Sequence, residues 1–212
     1  MTQEEIQKNK EAFTALCRKH IRREGLEALL DYLEGTDFYT APSSTAYHLN
    51  EDGGLCLHSM NVFRTAMRIY DGIAREAMAD GTGPFEGEIP EESIAISALF
   101  HDLCKVKLYR KAERWKKDEA GRWVSYPGYE VSDEFPLGHG EKSCLIVSWY
   151  MKLRRDELLA IRWHMGMFDL APQGMSQSYS FRNALDQCPL ASIIHAADFI
   201  ASNLLEKTTQ YK

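Results

Sequence analysis

The chain has 212 residues, of which 44% are hydrophobic and 26% charged, and its formal net charge is −6. This composition is typical of a soluble globular protein, and the length predicts one domain large enough to bury a core. The negative charge argues against a broad surface for bulk duplex nucleic acid, but it is compatible with a small phosphorylated substrate.

The amino terminus and the cysteines predict a cytoplasmic protein with no membrane contact. The first residues are charged and lack the apolar segment of a signal peptide, and no apolar run approaches the roughly 18 residues that span a bilayer. The five cysteines are widely spaced and form no Cys-x-x-Cys pair. They are Cys17, Cys56, Cys104, Cys144 and Cys188. We therefore predict reduced cysteines that serve as small buried residues.

Helical periodicity of apolar residues covers most of the chain, so an all-α fold is predicted. The predicted helical segments are 3–20, 24–35, 55–79, 91–106, 139–153, 155–165 and 189–206. We assign residues 1–212 to a single domain. In it, residues 1–45 form N-terminal helices, and residues 46–206 form the core that carries the candidate site.

One region, residues 107–136, breaks the helical pattern, because aromatic and charged residues mix along it. The stretch Asp118–Gly121 has the composition of a turn, with the runs on either side as strands. We therefore predict a small β-hairpin-like insert. Its aromatic residues, such as Trp115 and Trp123, could stack a nucleobase. We favour the alternative that they pack the hairpin onto its own domain or onto a second subunit, which leaves a homodimer open.

A histidine and an aspartate, His101 and Asp102, end the apolar stretch Ile94–Phe100. Buried polar groups cost about 1–3 kcal/mol or more unless something satisfies them, so this pair needs a partner. Further histidines and an aspartate lie in separate predicted helices: His58, His139, His164 and Asp198. Four imidazoles and two carboxylates suit one or two divalent metals such as Mn, Fe, Co or Ni, with Mg as a further candidate.

These residues carry a family resemblance. The stretch Leu99–Lys105 resembles the His-Asp signature of the HD-domain metal-dependent phosphohydrolases. Gly53–His58 resembles the helix that supplies the first histidine of that superfamily, and Ala196–Asp198 resembles the late helix that supplies its final aspartate. The resemblance covers roughly residues 46–206. It implies an HD-domain helical bundle, with the hairpin as an insert.

The resemblance also implies a role for each residue. One metal would be held by His58, His101, Asp102 and Asp198. The two histidines that match the binuclear members are His139 and His164, and Asp102 would then bridge both metals. A hydroxide shared by the metals would attack the phosphorus of a phosphomonoester or phosphodiester, and Lys105 would stabilise charge on the phosphoryl oxygens. The simpler interpretation of Lys105 is a helix-end cation.

Two further histidines are predicted either to contact substrate or to hold a ligand through a hydrogen bond. His195 lies three residues before Asp198 and therefore on the same helical face. His48 precedes the first ligand at a distance that resembles one subgroup, which includes a bacterial 3′-to-5′ exoribonuclease with an additional nucleic-acid-binding domain. Because this chain has no room for such a domain, we expect a nucleotide or a short oligonucleotide as substrate.

Two other functions remain open. Some HD-fold proteins carry six His and Asp ligands in the same order, bind two irons and activate O₂ on a small polar substrate. Ligand identity does not separate that diiron oxygenase from a phosphohydrolase. A regulatory module that holds a nucleotide without turnover is the third alternative, but the loss of ligands expected of it is not seen in the sequence. We therefore predict the phosphohydrolase.

Overall fold

The computed structural model describes residues 1–169 and 175–208. It is mostly helical with one two-stranded antiparallel sheet, as the sequence predicts. The helices are α1 (Gln3–His20), α2 (Leu26–Glu34), α3 (Gly54–Ile69), α4 (Arg75–Ala79), α5 (Glu91–Phe100), α6 (His139–Ser148), α7 (Arg155–Arg162), α8 (Met175–Gln187) and α9 (Pro189–Ile200), and the strands are β1 (Tyr109–Lys117) and β2 (Trp123–Val131).

The predicted helical segments are confirmed, with differences at their ends. A π-helical turn, Tyr70–Ala74, joins α3 to α4, and a second one, Ala201–Leu205, extends α9. The prediction of an unbroken helix over 91–106 is wrong, because α5 ends at Phe100 and a 3₁₀ turn follows at Leu103–Lys105. Helix α8, whose sequence is mostly polar, was not predicted.

Helix α5 lies at the centre of the domain. Every residue from Ser93 to Phe100 is buried, and the helix packs against α1, α3, α7 and α9. A helix that is apolar on all sides is typical of such a central position. The ring of Phe100 lies 6.1 Å from that of Phe13 in α1, which brings the N-terminal helices into the same core. The residues that follow Phe100 therefore begin deep inside the molecule.

The insert is a β-hairpin with a regular register, in which Tyr109 pairs with Val131 and Lys117 pairs with Trp123. The Asp118 carboxylate closes the turn by accepting hydrogen bonds from the backbone N–H groups of Ala120 and Arg122. The predicted hairpin and turn are confirmed.

The aromatic residues of the hairpin differ in their surroundings. Tyr129 is buried and donates a hydrogen bond of 2.6 Å to the Asp52 carboxylate. The side chains of Trp115 and Trp123 are 59% and 64% exposed. The prediction that the aromatics pack the hairpin onto its own domain is therefore wrong for these two tryptophans. The alternative of packing onto a second subunit stays a prediction.

All five cysteines are free thiols, and four of them are buried. No single helix in residues 1–169 and 175–208 has both the length and the apolar composition to cross a membrane. The segment Gln177–Gln187 passes that test only together with Pro189–Leu205, across a bend of 110°.

Candidate metal centre

The six predicted ligands converge at the centre of the domain, although they come from five different parts of the chain. They are supplied by α3 (His58), the end of α5 (His101 and Asp102), the start of α6 (His139), the residues after α7 (His164) and α9 (Asp198). All are buried except His139, which is half-buried. The fold therefore brings together the six side chains that the sequence predicts as metal ligands.

The first half of the cluster surrounds one oxygen of Asp102. The Nε2 atom of His58 lies 3.2 Å from Nε2 of His101 and 3.2 Å from Oδ1 of Asp198. The Oδ2 atom of Asp102 lies 3.5 Å from Nε2 of His58 and 3.4 Å from Nε2 of His101. These separations place four ligand atoms around one point, as a single metal ion requires.

The second half surrounds the other oxygen of the same carboxylate. The Oδ1 atom of Asp102 lies 3.4 Å from Nε2 of His164 and 3.8 Å from Nε2 of His139. Each oxygen of Asp102 therefore faces its own pair of imidazoles. This arrangement is what a carboxylate that bridges two cations needs.

Hydrogen bonds on the far side of the imidazoles fix which nitrogen faces the cluster. The Nδ1 of His101 donates to the Ala98 carbonyl at 2.8 Å, and the Nδ1 of His164 donates to the Ile161 carbonyl at 2.7 Å. Since a carbonyl only accepts, Nδ1 carries the proton and Nε2 presents its lone pair inward. The Nε2 atom of His164 is buried and has no hydrogen-bond partner among the described residues. These features fit a metal ligand.

A carboxylate that was not predicted, Glu206, holds the remaining inner histidine. Its Oε2 atom lies 3.0 Å from Nδ1 of His58, and its Oε1 atom accepts a hydrogen bond of 3.0 Å from the Asn61 side chain. A carboxylate behind a histidine is the usual partner of a metal-ligating imidazole. The signal available in the sequence was an acidic residue about two helical turns after Asp198.

The charges of the cluster favour a cation. Although burial opposes it, the nearby Glu206 and Asp198 carboxylates raise the pKa of His58 to about 10. Burial alone would raise the pKa of Asp102, but the Lys105 ammonium and the His101 imidazole hold that pKa well below its ordinary value. The carboxylates therefore stay ionised in the interior, where only positive charge compensates them.

The cation nearest the cluster belongs to Lys105. Its Nζ atom lies 2.6 Å from Oδ2 of Asp102, and its side chain is buried. Burial lowers the pKa of Lys105, but the Asp102 carboxylate more than reverses this effect and raises the pKa above its ordinary value. The ammonium therefore lies at the candidate site, although the turn Leu103–Lys105 and not a helix places it there.

The two further histidines both lie at the cluster. The ring of His48 lies 4.9 Å from that of His58, and its Nε2 atom is buried without a hydrogen-bond partner among the described residues. Burial and the neighbouring His58 lower the pKa of His48 to about 4. His195 donates a hydrogen bond of 2.6 Å from Nδ1 to the carbonyl of His164. His195 therefore supports the segment that carries a candidate ligand.

Several groups of ligand atoms lie within 4.8 Å of one another and could each hold a metal ion. They are His58–His101–Asp198, His101–Asp102–His164, Asp102–Cys104–His139 and His48–His58–Glu206. Cys104 was predicted only as a buried cysteine. Burial strongly raises the pKa of its thiol, and its sulfur lies 3.9 Å from Oδ1 of Asp102.

Comparisons with known proteins identify the domain. The family model described as HD domain matches residues 57–203, which is more than half of the chain and includes all six predicted ligands. No curated protein and no solved structure matches the chain.

Proposed function

Because the chain belongs to the HD-domain family, whose membership indicates a metal-dependent hydrolase-type function, we propose that it is a phosphohydrolase. Its substrate in this proposal is a phosphomonoester or phosphodiester, specifically a nucleotide or a short oligonucleotide. One observation carries the proposal: the two oxygens of Asp102 face two separate pairs of imidazoles. Such a carboxylate suits a pair of divalent cations, the usual centre for hydrolysis of phosphate esters.

The donor set suggests how two metals would be held. The first would be bound by His58, His101, Asp198 and Oδ2 of Asp102, and the second by His139, His164 and Oδ1 of Asp102. Nitrogen and oxygen donors of this kind suit Mn, Fe, Co or Ni, with Mg as a further candidate. When bound, two such ions lower the pKa of a water molecule and withdraw charge from the phosphoryl oxygens.

The chain's own groups would complete the site. The Lys105 ammonium is already ionised and fixed at 2.6 Å from Asp102, so it would stabilise negative charge on the phosphoryl group without reorganising. The buried Nε2 of His48 is available for a hydrogen bond to the substrate. His195 would act by positioning His164 through its carbonyl.

The test is hydrolysis of a panel of chromogenic phosphomonoesters and phosphodiesters, extended to nucleotides, by the Mn-reconstituted protein. Asp102→Ala is the blank, and Asp71→Ala, at an exposed helical position, is the matched control. We expect metal-dependent turnover that disappears only in Asp102→Ala. Turnover that survives in Asp102→Ala would contradict the proposal.

The same samples distinguish the other two functions. One outcome would assign the diiron oxygenase: no ester of the panel is hydrolysed, the protein holds two irons per chain, and a mixed-valent pair gives an EPR signal. Tight binding of a nucleotide with no product would assign a regulatory module. The cytoplasmic location and the homodimer stay predictions.

A further inference from the structure

Charge is distributed unevenly along this chain, and the hairpin is one of its basic segments. Residues 107–131 contain seven lysines and arginines and four acidic residues, a formal charge of +3 in a chain whose total is −6. The remainder therefore carries −9. A positively charged element on an acidic protein attracts a polyanion locally, even where the molecule as a whole repels it.

The base of the hairpin is fixed to the domain, whereas its outer half projects from it. Asp52 accepts a hydrogen bond of 2.6 Å from the Tyr129 hydroxyl and lies 2.7 Å from Nζ of Lys111. Farther along the same strands, Trp115 and Trp123 are 59% and 64% exposed. Covering an exposed indole ring removes a large apolar surface from water. The exposure of both tryptophans on an anchored element therefore suggests that a ligand covers them.

The register places these groups on one face. Trp115 pairs with Ser125 and Lys117 pairs with Trp123, so alternation along the strands puts Tyr109, Lys111, Glu113, Trp115, Lys117 and Trp123 on the same side of the hairpin. We call these six residues the hairpin face. The Lys117 ammonium lies 5.6 Å from the centre of the Trp123 ring. Aromatic rings interleaved with cations are the usual platform for single-stranded nucleic acid.

The hairpin face begins at the candidate metal centre. Tyr109 opens β1 and lies four residues after Lys105. The backbone N–H of Leu108, the residue before Tyr109, donates a hydrogen bond of 3.2 Å to the Lys105 carbonyl, which holds the start of β1 beside Lys105. From Tyr109 to Trp115 the strand extends about 20 Å, at roughly 3.4 Å per residue. A stacked strand of about six nucleotides, at roughly 3.4 Å each, has this length.

We propose that the hairpin face binds a single-stranded oligonucleotide, whose bases stack on Trp115 and Trp123 and whose end reaches Asp102. The inference rests on the proposed function, and it narrows the substrate from a nucleotide ester to a single strand. Duplex nucleic acid does not fit, because its bases are already stacked and cannot cover the two indole rings. Lys117, beside Trp123, would pair with the phosphates.

The test is fluorescence anisotropy with a fluorescein-labelled, phosphorothioate-linked oligothymidylate of about eight nucleotides, a length within the range of known single-strand sites. The phosphorothioate linkages resist cleavage, so binding is measured on the full, metal-loaded chain. We expect saturable binding that weakens with salt, and we expect Trp115→Ala/Trp123→Ala to weaken it about tenfold or more. The pair Trp115→Phe/Trp123→Phe, which keeps both aromatic faces, should retain most of the affinity.

Trp149→Ala is the matched control, because Trp149 is 54% exposed and lies outside the hairpin. It should bind the oligothymidylate like the unmodified protein, and all variants should share its unfolding midpoint. Equal binding by the unmodified protein and the double alanine variant would overturn the inference. A preference for a duplex probe would also overturn the inference. It would be overturned as well if the unmodified protein is a dimer that binds no oligothymidylate and the double alanine variant is a monomer.

Hydrolysis of bis(p-nitrophenyl) phosphate by the unmodified protein separates the two proposals. This small ester tests the metal centre without a polymer. Hydrolysis without binding of the oligothymidylate would overturn only the hairpin inference. Tryptophan-dependent binding without hydrolysis of any ester would uphold the hairpin face and contradict the proposed function.

Discussion

The Nζ atom of Lys105 lies 2.6 Å from Oδ2 of Asp102, and both side chains are buried. The same oxygen faces the imidazoles of His58 and His101. The ammonium therefore compensates the carboxylate around which the candidate centre is built. Removing one partner of a buried ion pair leaves an uncompensated charge, which typically costs about 3–5 kcal/mol.

The first prediction concerns Lys105→Ala. We expect metal binding to persist, because the imidazoles and carboxylates remain, while turnover falls by roughly 10²–10³ for loss of one charge-stabilising group. We expect the metal-free variant to lose about 3–5 kcal/mol of unfolding free energy. Metal content, kcat and urea unfolding are the measurements, with exposed Lys8→Ala as the control. Unchanged turnover would show that Lys105 compensates the buried Asp102 carboxylate without a catalytic role.

The second prediction concerns Asp102→Ala against His164→Ala. Because the oxygens of Asp102 face both halves of the cluster, Asp102→Ala should lose both metals, whereas His164→Ala should lose only the metal beside Oδ1. Metal-to-protein ratios after dialysis, by elemental analysis, give the stoichiometry. Equal loss in both variants would contradict two separate half-sites.

Glu206→Gln tests the carboxylate behind His58. The amide keeps the size of the side chain but removes the charge that lies 3.0 Å from Nδ1 of His58. Loss of such an outer partner typically reduces metal affinity or activity about 10–100-fold. Competition with a chelating dye measures the affinity, and Glu76→Gln, an exposed position, is the control. If Glu206→Gln binds metal as tightly as Glu76→Gln does, Glu206 does not contribute to the metal site.

Gly140 links helix packing to the position of His139. A Cβ atom on Gly140 would lie 2.2 Å from the carbonyl oxygen of Arg162, so Gly140→Ala must push α6 away from α7. We expect a loss of about 1–3 kcal/mol of stability and weaker binding of the second metal. Gly72→Ala, where a Cβ meets nothing within 4 Å, should be neutral or stabilising by about 0.5–1 kcal/mol. Urea unfolding and metal titration check both variants.

Glu92 gives a pH-dependent prediction away from the metal centre. Burial alone would raise the pKa of Glu92, but the hydrogen bond from the Arg22 backbone and the Arg23 guanidinium lower it. A pKa that is lower in the folded state adds stability above the unfolded pKa, and that stability is lost as pH falls through the folded pKa. Glu92→Gln should therefore be less stable by about 1–2 kcal/mol at neutral pH.

The difference between Glu92→Gln and the unmodified protein should shrink as the pH falls below about 4. Urea unfolding across this pH range measures it, with the exposed variant Glu76→Gln as reference. A difference that stays constant down to the lowest pH would show that shape, and not charge, makes Glu92 stabilising.

Most of the helices, the hairpin and the six candidate ligands could be predicted from the sequence. Helical periodicity and turn composition are properties of neighbouring residues, so they are readable without the fold. The ligand set could be predicted because His101 and Asp102 end an apolar stretch, where polar groups are costly, and because the ordered histidines and aspartates resemble those of the HD-domain family. Helix α8 was not predicted, and its sequence is mostly polar.

The way those residues face one another depends on the packing of the helices in three dimensions. It places Glu206 behind His58, across 148 positions of sequence, and it directs the two oxygens of Asp102 to different imidazoles. It also leaves Trp115 and Trp123 exposed, against the expectation of packing. These contacts join residues that are distant in the chain, and they depend on helix packing and strand register, which no local pattern encodes.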